Sequence, residues 1–251
     1  MPRCGRTTRK AGSGTGFDDP KGVVEFERTK EILQRQLPAA PAVIADIGGG
    51  PGRYALWLAE LGYTVEHRDL MRLHVEQLQK SSGAMVHTEV GDARDLNLPD
   101  SSVDAVVLLG PLYHLQERAH RVQALREACR IVHPGGPVFA AVISRWAPRL
   151  DGVVAERLYE SYPDLLALLP DVELTGTLPP IVPDGFSGYT HRPVSWSRRS
   201  RKLSWFLRIS SALRACPLRP GTCRPGWLTL LPGMSCWTPR GPSNAFLNYW
   251  A

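Results

Sequence analysis

A run of closely spaced glycines follows a short apolar segment early in the chain. Residues 43–45 are apolar, Asp46 comes next, and the glycines are Gly48, Gly49, Gly50 and Gly52. Glycine has no side chain to keep a ligand away from the backbone, and the free N–H groups at the start of a helix can donate to that ligand. The spacing therefore predicts a backbone cradle between a buried strand and a helix that begins near Arg53.

The glycine pattern by itself leaves several interpretations open. Dinucleotide-binding loops usually read Gly-x-Gly-x-x-Gly, whereas this chain has Gly48-x-Gly50-x-Gly52 followed by Arg53. This spacing argues against a nicotinamide-dependent oxidoreductase. A tight strand-to-helix turn that binds nothing would also use glycines. The residues that follow must decide between these interpretations.

Two carboxylates come at the ends of later strand segments. Asp69 stands about 20 residues beyond the glycines, where a carboxylate can accept hydrogen bonds from ribose hydroxyls. Asp92 follows the third strand segment and can accept from an adenine amino group, with the Ala93 N–H facing the ring. Together with the glycines, they favour a ligand that contains a nucleoside.

Strands and helices are predicted to alternate strictly from residue 43. The first predicted strand begins at residue 43, and the other four cover 63–68, 85–89, 103–109 and 137–144. The predicted helices cover 53–61, 72–80 and 116–132. A further amphipathic helix is predicted at 23–37. Alternation of this kind indicates an α/β fold with a Rossmann-like, doubly wound and mostly parallel sheet.

Composition limits the possible classes of protein. The 251 residues suffice for one α/β domain, and no apolar run approaches the about 20 residues of a membrane span. The basic N-terminus is not followed by an apolar segment, so a secretory signal is not expected and the cytoplasm is the default location. The odd number of cysteines matches neither a zinc pattern nor a disulfide framework, and no metal is predicted: Cys4, Cys129, Cys216, Cys223 and Cys236.

Four features in order make the chain resemble the class I methyltransferases that depend on S-adenosylmethionine (SAM), especially the small-molecule type. Residues 46–52 resemble motif I, Asp69 the acid after strand two, Gly91-Asp92-Ala93 the adenine-side motif, and Pro134-Gly135-Gly136 the segment before strand five. The resemblance covers about residues 23–193. It implies the sheet order 3-2-1-4-5-7-6, in which the last two strands form an antiparallel hairpin.

The resemblance also implies SAM as cofactor and methyl transfer to an O, N or C atom of a small organic acceptor. Tyr113 and His114, after strand four, are the catalytic candidates, and His114 can take a proton from a hydroxyl or amine acceptor. Both residues can instead simply line the pocket. A lid at about 145–190 would shape the choice of acceptor. The cofactor-binding residues that the resemblance implies are Asp46, Gly48, Gly49, Gly50, Gly52, Asp69, Asp92, Ala93, Leu109 and Gly110.

The end of the chain departs from this family. All 24 acidic residues lie at or before Asp184, whereas ten Lys or Arg and no acid lie between 185 and 251. Five of the seven tryptophans lie beyond Pro193. We therefore expect a basic, disordered segment at 1–16, a methyltransferase domain at 17–193, and an atypical tail at 194–251 that a frameshift near Pro193 would explain. Without the closing hairpin, strand five is expected to be an open edge unless 198–208 cover it.

The tail leaves two functional alternatives open. A basic segment that contains tryptophans can bind single-stranded nucleic acid, so an RNA methyltransferase or binder is one alternative, although the acidic first part of the chain makes a nucleic-acid partner less expected. The other is a methyltransferase that binds cofactor but transfers nothing. No membrane partner is predicted, and the sequence identifies neither the acceptor nor the oligomeric state.

Overall fold

The computed structural model describes residues 20–155, 157–180, 186–192 and 206–210. Its contacts divide the chain into two units, residues 1–37 and residues 38–251. In the first unit, helix α1 (Pro20–Gln34) begins and ends three residues earlier than the helix predicted at 23–37. An ion pair of 2.7 Å between Lys30 and Glu27 spans one of its turns.

Five parallel strands form the centre of the second unit. They are β1 (Val43–Ile47), β2 (Thr64–Asp69), β3 (Val86–Val90), β4 (Ala105–Leu108) and β5 (Pro137–Ala141). They lie in the order β3-β2-β1-β4-β5, which confirms the predicted doubly wound, Rossmann-like sheet. The winding reverses between β1 and β4, and ligands of such sheets bind beyond the carboxyl ends of the strands at this reversal.

The three long helices that connect these strands also lie close to their predicted positions. They are α2 (Arg53–Glu60), α3 (Arg72–Ser81) and α5 (Arg118–Ile131). Every residue of β4 is buried, as expected of a central strand that helices cover on both faces. One short helix, α4 (Pro111–His114), was not predicted. It begins at a proline, which suits the first turn because proline has no N–H to leave unpaired.

The segment after β5 folds differently from its prediction. The strand predicted at 137–144 is divided, and its end, β6 (Ile143–Ser144), joins a separate sheet in the order β6-β8-β7 with β7 (Thr177–Leu178) and β8 (Gly188–His191). The lid predicted at about 145–190 contains a π-helix over Pro148–Ala155, a single 3₁₀ turn over Leu158–Glu160, and α6 (Leu165–Thr175).

The outer edge of β5 is paired by a strand that begins within 198–208, the segment that was expected to cover it if the edge were not open. Strand β9 (Phe206–Ser210) runs antiparallel to β5 over all five of its residues. The predicted disordered segment 1–16 and the rest of the tail at 194–251, with its frameshift hypothesis, lie outside the described residues. No helix in the described part of the chain is long and apolar enough to cross a membrane.

Candidate functional site

The glycine loop after β1 has a backbone that other residues adopt only at a cost. Gly48, Gly50 and Gly52 have φ values of +67°, +60° and +87°. The first of these positions is also crowded, because a Cβ on Gly48 would lie 2.4 Å from Pro111 Cγ. At Gly110, a Cβ would lie 2.9 Å from the Gly48 carbonyl oxygen. The loops after β1 and β4 are therefore in direct contact at the switch point of the sheet.

Gly50 faces open space at this edge of the sheet. No heavy atom of the described residues lies within 4 Å of the point where its Cβ would sit. Its N–H donates to Asp69 Oδ2 at 2.8 Å. The absence of a side chain here leaves the backbone accessible to a ligand beside a buried carboxylate.

Asp69 ends β2 and is held in place by three donors. In addition to the Gly50 N–H, its Oδ1 accepts from the Met71 N–H at 2.8 Å and lies 3.0 Å from His74 Nδ1. An ionised carboxylate has about four acceptor positions. One position therefore remains, which fits the predicted hydrogen bond to a ribose hydroxyl.

Asp92 is held in a different way from its prediction. Its two carboxylate oxygens accept from Arg94 Nε at 3.0 Å, and Oδ1 also accepts from the Arg94 backbone N–H at 2.9 Å. These hydrogen bonds lower the pKa of Asp92 more than its partial burial raises it. The structure thus places Asp92 and half-buried Ala93 in the loop after β3, but Arg94 occupies the oxygens that were predicted to accept from adenine. The pattern of residue types gives no sign of this arginine.

Asp46 and His67 lie beneath the glycine loop. They are opposite each other on β1 and β2, and 1% or less of each residue is exposed. Burial, with the nearby Asp69, raises the pKa of Asp46 to about 7, while burial lowers the pKa of His67 to about 4. The site therefore contains a buried carboxyl whose charge changes near neutral pH.

The two catalytic candidates form one wall with an aromatic residue of the lid. The ring centroids of Tyr113 and His114 are 4.7 Å apart, and Phe186 meets the His114 ring edge-on at 5.4 Å. Burial lowers the pKa of His114, and the negative charge of Asp69 opposes this shift. His114 is therefore neutral at physiological pH and able to accept a proton. Leu109 and Gly110, both half-buried, join β4 to this wall.

Two buried arginines hold the lid in place: Arg121 from α5, which contacts both the lid and the loop after α4, and Arg145, whose contacts lie within the lid. Arg121 lies 3.5 Å above the ring of Tyr189 and donates to the carbonyl oxygens of Leu115 and Gln116. Arg145 donates to the carbonyl oxygens of Leu174 and Thr190, at 3.0 and 3.1 Å. These contacts hold β8 against the loop after α4, next to His114.

Comparison with known proteins assigns the domain. Residues 45–140 match a protein-family model described as a methyltransferase domain. The fold resembles the crystal structure of a SAM-dependent methyltransferase from Methanosarcina mazei, with a TM-score of 0.50 and 21% identity over 64% of this chain and 77% of that one. Residues 45–140 form a methyltransferase domain. This confirms the family to which the sequence motifs point.

The names of the curated relatives point to different kinds of acceptor or to none. The chain is 29% identical over 131 residues to methyltransferase GfsG of Streptomyces halstedii, covering 50% of this chain and 46% of that one. It is 30% identical over 129 residues to 27-O-demethylrifamycin SV methyltransferase of Amycolatopsis mediterranei, covering 48% and 46%. It is 33% identical over 124 residues to "Probable tRNA methyltransferase 9B" of Bos taurus, covering 49% and 25%. The chain spans less than half the length of each of these relatives.

SAM is the cofactor of this class of methyltransferase, and the residues of the site fit it. The backbone at Gly50 is open, and Asp69 keeps one acceptor position for a ribose hydroxyl. Asp92 fits the adenine amino group only after Arg94 moves aside. The four predicted glycines form the loop after β1, and Asp46 lies just beneath it. The other predicted cofactor residues lie in the loop after β3 (Asp92 and Ala93), in the loop after β4 (Leu109 and Gly110) and at the end of β2 (Asp69).

Proposed function

We propose that this chain is a SAM-dependent methyltransferase that methylates an O, N or C atom of a small organic acceptor. The observation that carries the proposal is the direct contact between the glycine loop and the loop after β4, at Gly48 and Gly110. This contact puts the open backbone beside Asp69 on one side and the wall of Tyr113, His114 and Phe186 on the other. Donor and acceptor would therefore occupy adjoining parts of one site.

The chemistry needs few protein groups. Bound SAM would supply an electrophilic methyl group, whose carbon bonds to the acceptor atom as the positively charged sulfur leaves in line as a neutral thioether. The Gly50 backbone and Asp69 orient the nucleoside, and the aromatic wall holds the acceptor and keeps out water. Neutral His114 takes the proton that a hydroxyl or amine acceptor loses. Tyr113 and Phe186 fix the position of its ring through edge and tilted contacts.

The wall of Tyr113, His114 and Phe186 supports a small acceptor. Aromatic side chains bind flat or apolar molecules through their faces and edges. One curated relative supports the same class, since its name is that of a methyltransferase acting on 27-O-demethylrifamycin SV. We infer that the acceptor is an organic molecule with an apolar or aromatic part.

RNA is the second candidate acceptor. The likeness to "Probable tRNA methyltransferase 9B" and the basic composition of residues 185–251 both favour it. The two candidates differ in an assay that transfers a labelled methyl group from SAM either to a panel of small hydroxyl, amine and enol compounds or to unfractionated tRNA. Label in RNA, with none in the small compounds, would support the second candidate. A protein that binds cofactor and labels neither would match the inactive alternative.

Calorimetric titration with S-adenosylhomocysteine (SAH) tests the cofactor site. Asp69→Ala removes the carboxylate that orients the loop and should weaken binding by about 1–3 kcal/mol, as expected when buried donors lose their acceptor. Asp95→Ala is the matched control, because Asp95 is an exposed carboxylate in the loop after β3. Failure of the folded wild-type protein to bind SAH would refute the proposed function.

A further inference from the structure

The buried pair of Asp46 and His67 has polar atoms that the fold does not satisfy. Asp46 Oδ2 and His67 Nε2 have no hydrogen-bond partner among the residues that the structure describes. The two side chains leave adjacent parallel strands at the same level. Partnerless buried polar atoms are penalised and are rare in native proteins. Two of them at neighbouring positions under a ligand loop indicate a role in that site.

Both side chains contact the underside of Gly49. A Cβ at this position would lie 2.3 Å from Asp46 Oδ2 and 2.8 Å from His67 Cδ2. Because both atoms lie so close to one point, the carboxyl and the imidazole are no more than about 5 Å apart. A change of charge on the pair therefore occurs directly beneath the loop that the proposed cofactor would occupy.

His67 is also hydrogen-bonded toward β3, the edge strand of the sheet. Its Nδ1 lies 2.8 Å from the hydroxyl oxygen of Thr88 on β3. Thr88 is only half-buried, whereas His67 is completely buried. The imidazole on β2 thus lies between the buried carboxyl on β1 and a partly exposed hydroxyl on β3.

The neighbouring charges determine which of the two groups ionises. Burial raises the pKa of Asp46 to about 7; Asp69 adds to this shift, and the Ala55 N–H opposes it. Burial lowers the pKa of His67 to about 4; Asp69 and the Gly50 backbone oppose this shift, and Arg68 and His74 add to it. The pair is therefore uncharged in mild acid and carries one negative charge above neutral pH.

We propose that Asp46 and His67 form a proton-exchanging pair whose charge follows the charge of the bound cofactor. The inference rests on the proposed function. SAM carries a positive sulfonium, whereas SAH, which remains after methyl transfer, has a neutral thioether. An ionised Asp46 attracts the cation through a medium of low dielectric constant. Binding of SAM thus releases the Asp46 proton through His67 and Thr88 to solvent, and the pair takes a proton back from solvent when SAM has become SAH.

Calorimetry in two buffers with different ionisation enthalpies measures this proton. The titrations use the full chain at about pH 6.5, where the α-amino groups of both ligands are protonated. Wild-type protein should release a larger fraction of a proton on binding SAM than on binding SAH. Asp46→Asn should show no such difference. Equal proton release with the two ligands in the wild-type protein would overturn the inference without the need for any variant.

The pH dependence of the two affinities tests the role of His67. For the wild-type protein, the ratio of the SAH Kd to the SAM Kd should rise about fivefold or more between pH 6 and 8, the lower range of ordinary coupling between two bound groups. In Asp46→Asn, this ratio should change with pH only because the ligands themselves titrate. His67→Val should move the midpoint to higher pH, because the carboxyl loses its polar neighbour. An unchanged midpoint would remove His67 from the pair, whereas no binding of either ligand by folded protein would refute the proposed function instead.

Discussion

The guanidinium of Arg94 holds both carboxylate oxygens of Asp92. Nε lies 3.0 Å from each oxygen, and Nη2 lies 2.5 Å from Oδ2. The two side chains are about one-third exposed, so water and salt screen the pair. Because Asp92 is the predicted acceptor for the adenine amino group, this arginine competes with the cofactor for the same oxygens.

Removal of Arg94 should therefore strengthen cofactor binding. Arg94→Ala should lower the Kd for SAH by up to about fivefold, since a partly exposed ion pair contributes about 0.2–1 kcal/mol. Added salt should strengthen SAH binding to the wild-type protein and have less effect on the variant. Titrations at low and high salt measure both effects, with Arg126→Ala, an exposed residue of α5, as control. Weaker binding by Arg94→Ala would show that the arginine contacts the cofactor instead.

Alanine at two adjacent glycines should separate stability from binding. Gly49→Ala places its Cβ against Asp46 and His67 and should lower the free energy of unfolding by about 1–3 kcal/mol. Gly50→Ala meets no described atom, and its φ of +60° should lower the free energy of unfolding by only about 1–2 kcal/mol. Its methyl group enters the space proposed for the cofactor, so SAH binding should weaken beyond any loss of folded protein.

Urea unfolding and SAH titration of the same preparations give the two quantities. Gly83→Ala is the control, because Gly83 is exposed and no described atom lies within 4 Å of its Cβ position. An unchanged SAH affinity in folded Gly50→Ala would place the cofactor elsewhere.

His191 should make the fold sensitive to acid. Burial, together with Arg121 and Arg145, lowers the pKa of His191 from 6.5 to about 4. The unfolded chain therefore binds a proton in this range that the folded chain does not. The contribution of His191 to the free energy of unfolding is fully present above about pH 6.5. It is lost as the pH falls toward about 4, at about 1.4 kcal/mol for each pH unit.

The dependence of unfolding on pH in His191→Gln tests this contribution. Between about pH 4 and 6.5, the free energy of unfolding should rise less steeply with pH in this variant than in the wild-type protein. The difference between the two slopes should correspond to the uptake of one proton on unfolding. His67 adds a slope of the same sign and Asp46 one of the opposite sign, and both remain in each protein. His87→Gln, at an exposed position of β3, should leave the slope unchanged. Equal slopes for wild type and His191→Gln would mean that His191 is protonated in the folded protein.

The features that depend on local pattern could be predicted from the sequence. Apolar runs and glycines mark strands, helices and turns over short stretches of sequence. For this reason β1 to β5 and the long helices lie within a few residues of their predicted bounds. Asp69 was placed correctly because the βαβ unit brings the end of β2 beside the loop after β1. The division of β5 was missed, because Val142 continues the apolar run and only the pairing of β6 with β8 separates the two pieces.

The missed features are contacts between side chains. Arg94 turns back onto Asp92 because of a local turn, which a pattern of residue types does not specify. His67 lies opposite Asp46 because of the register of β1 and β2, which the sequence does not specify. The polar sequence of β2 also gave no signal that His67 is buried. Arg121 and Tyr189 are 68 residues apart in sequence, so their stacking depends on how the lid folds.

His114 should control the rate of methyl transfer to a hydroxyl or amine acceptor. Burial lowers the pKa of His114, so the neutral, proton-accepting form should already predominate below about pH 6.5. For an acceptor found in the labelling assay, kcat should rise with pH and level off below the ordinary histidine value. His114→Asn should lower kcat by about 10²–10⁴-fold and remove this rise, whereas His87→Asn changes neither. Tyr113→Phe keeps the ring contact with His114 and should have the smaller effect. If His114 only lines the pocket, His114→Asn would raise KM and leave the pH profile of kcat unchanged.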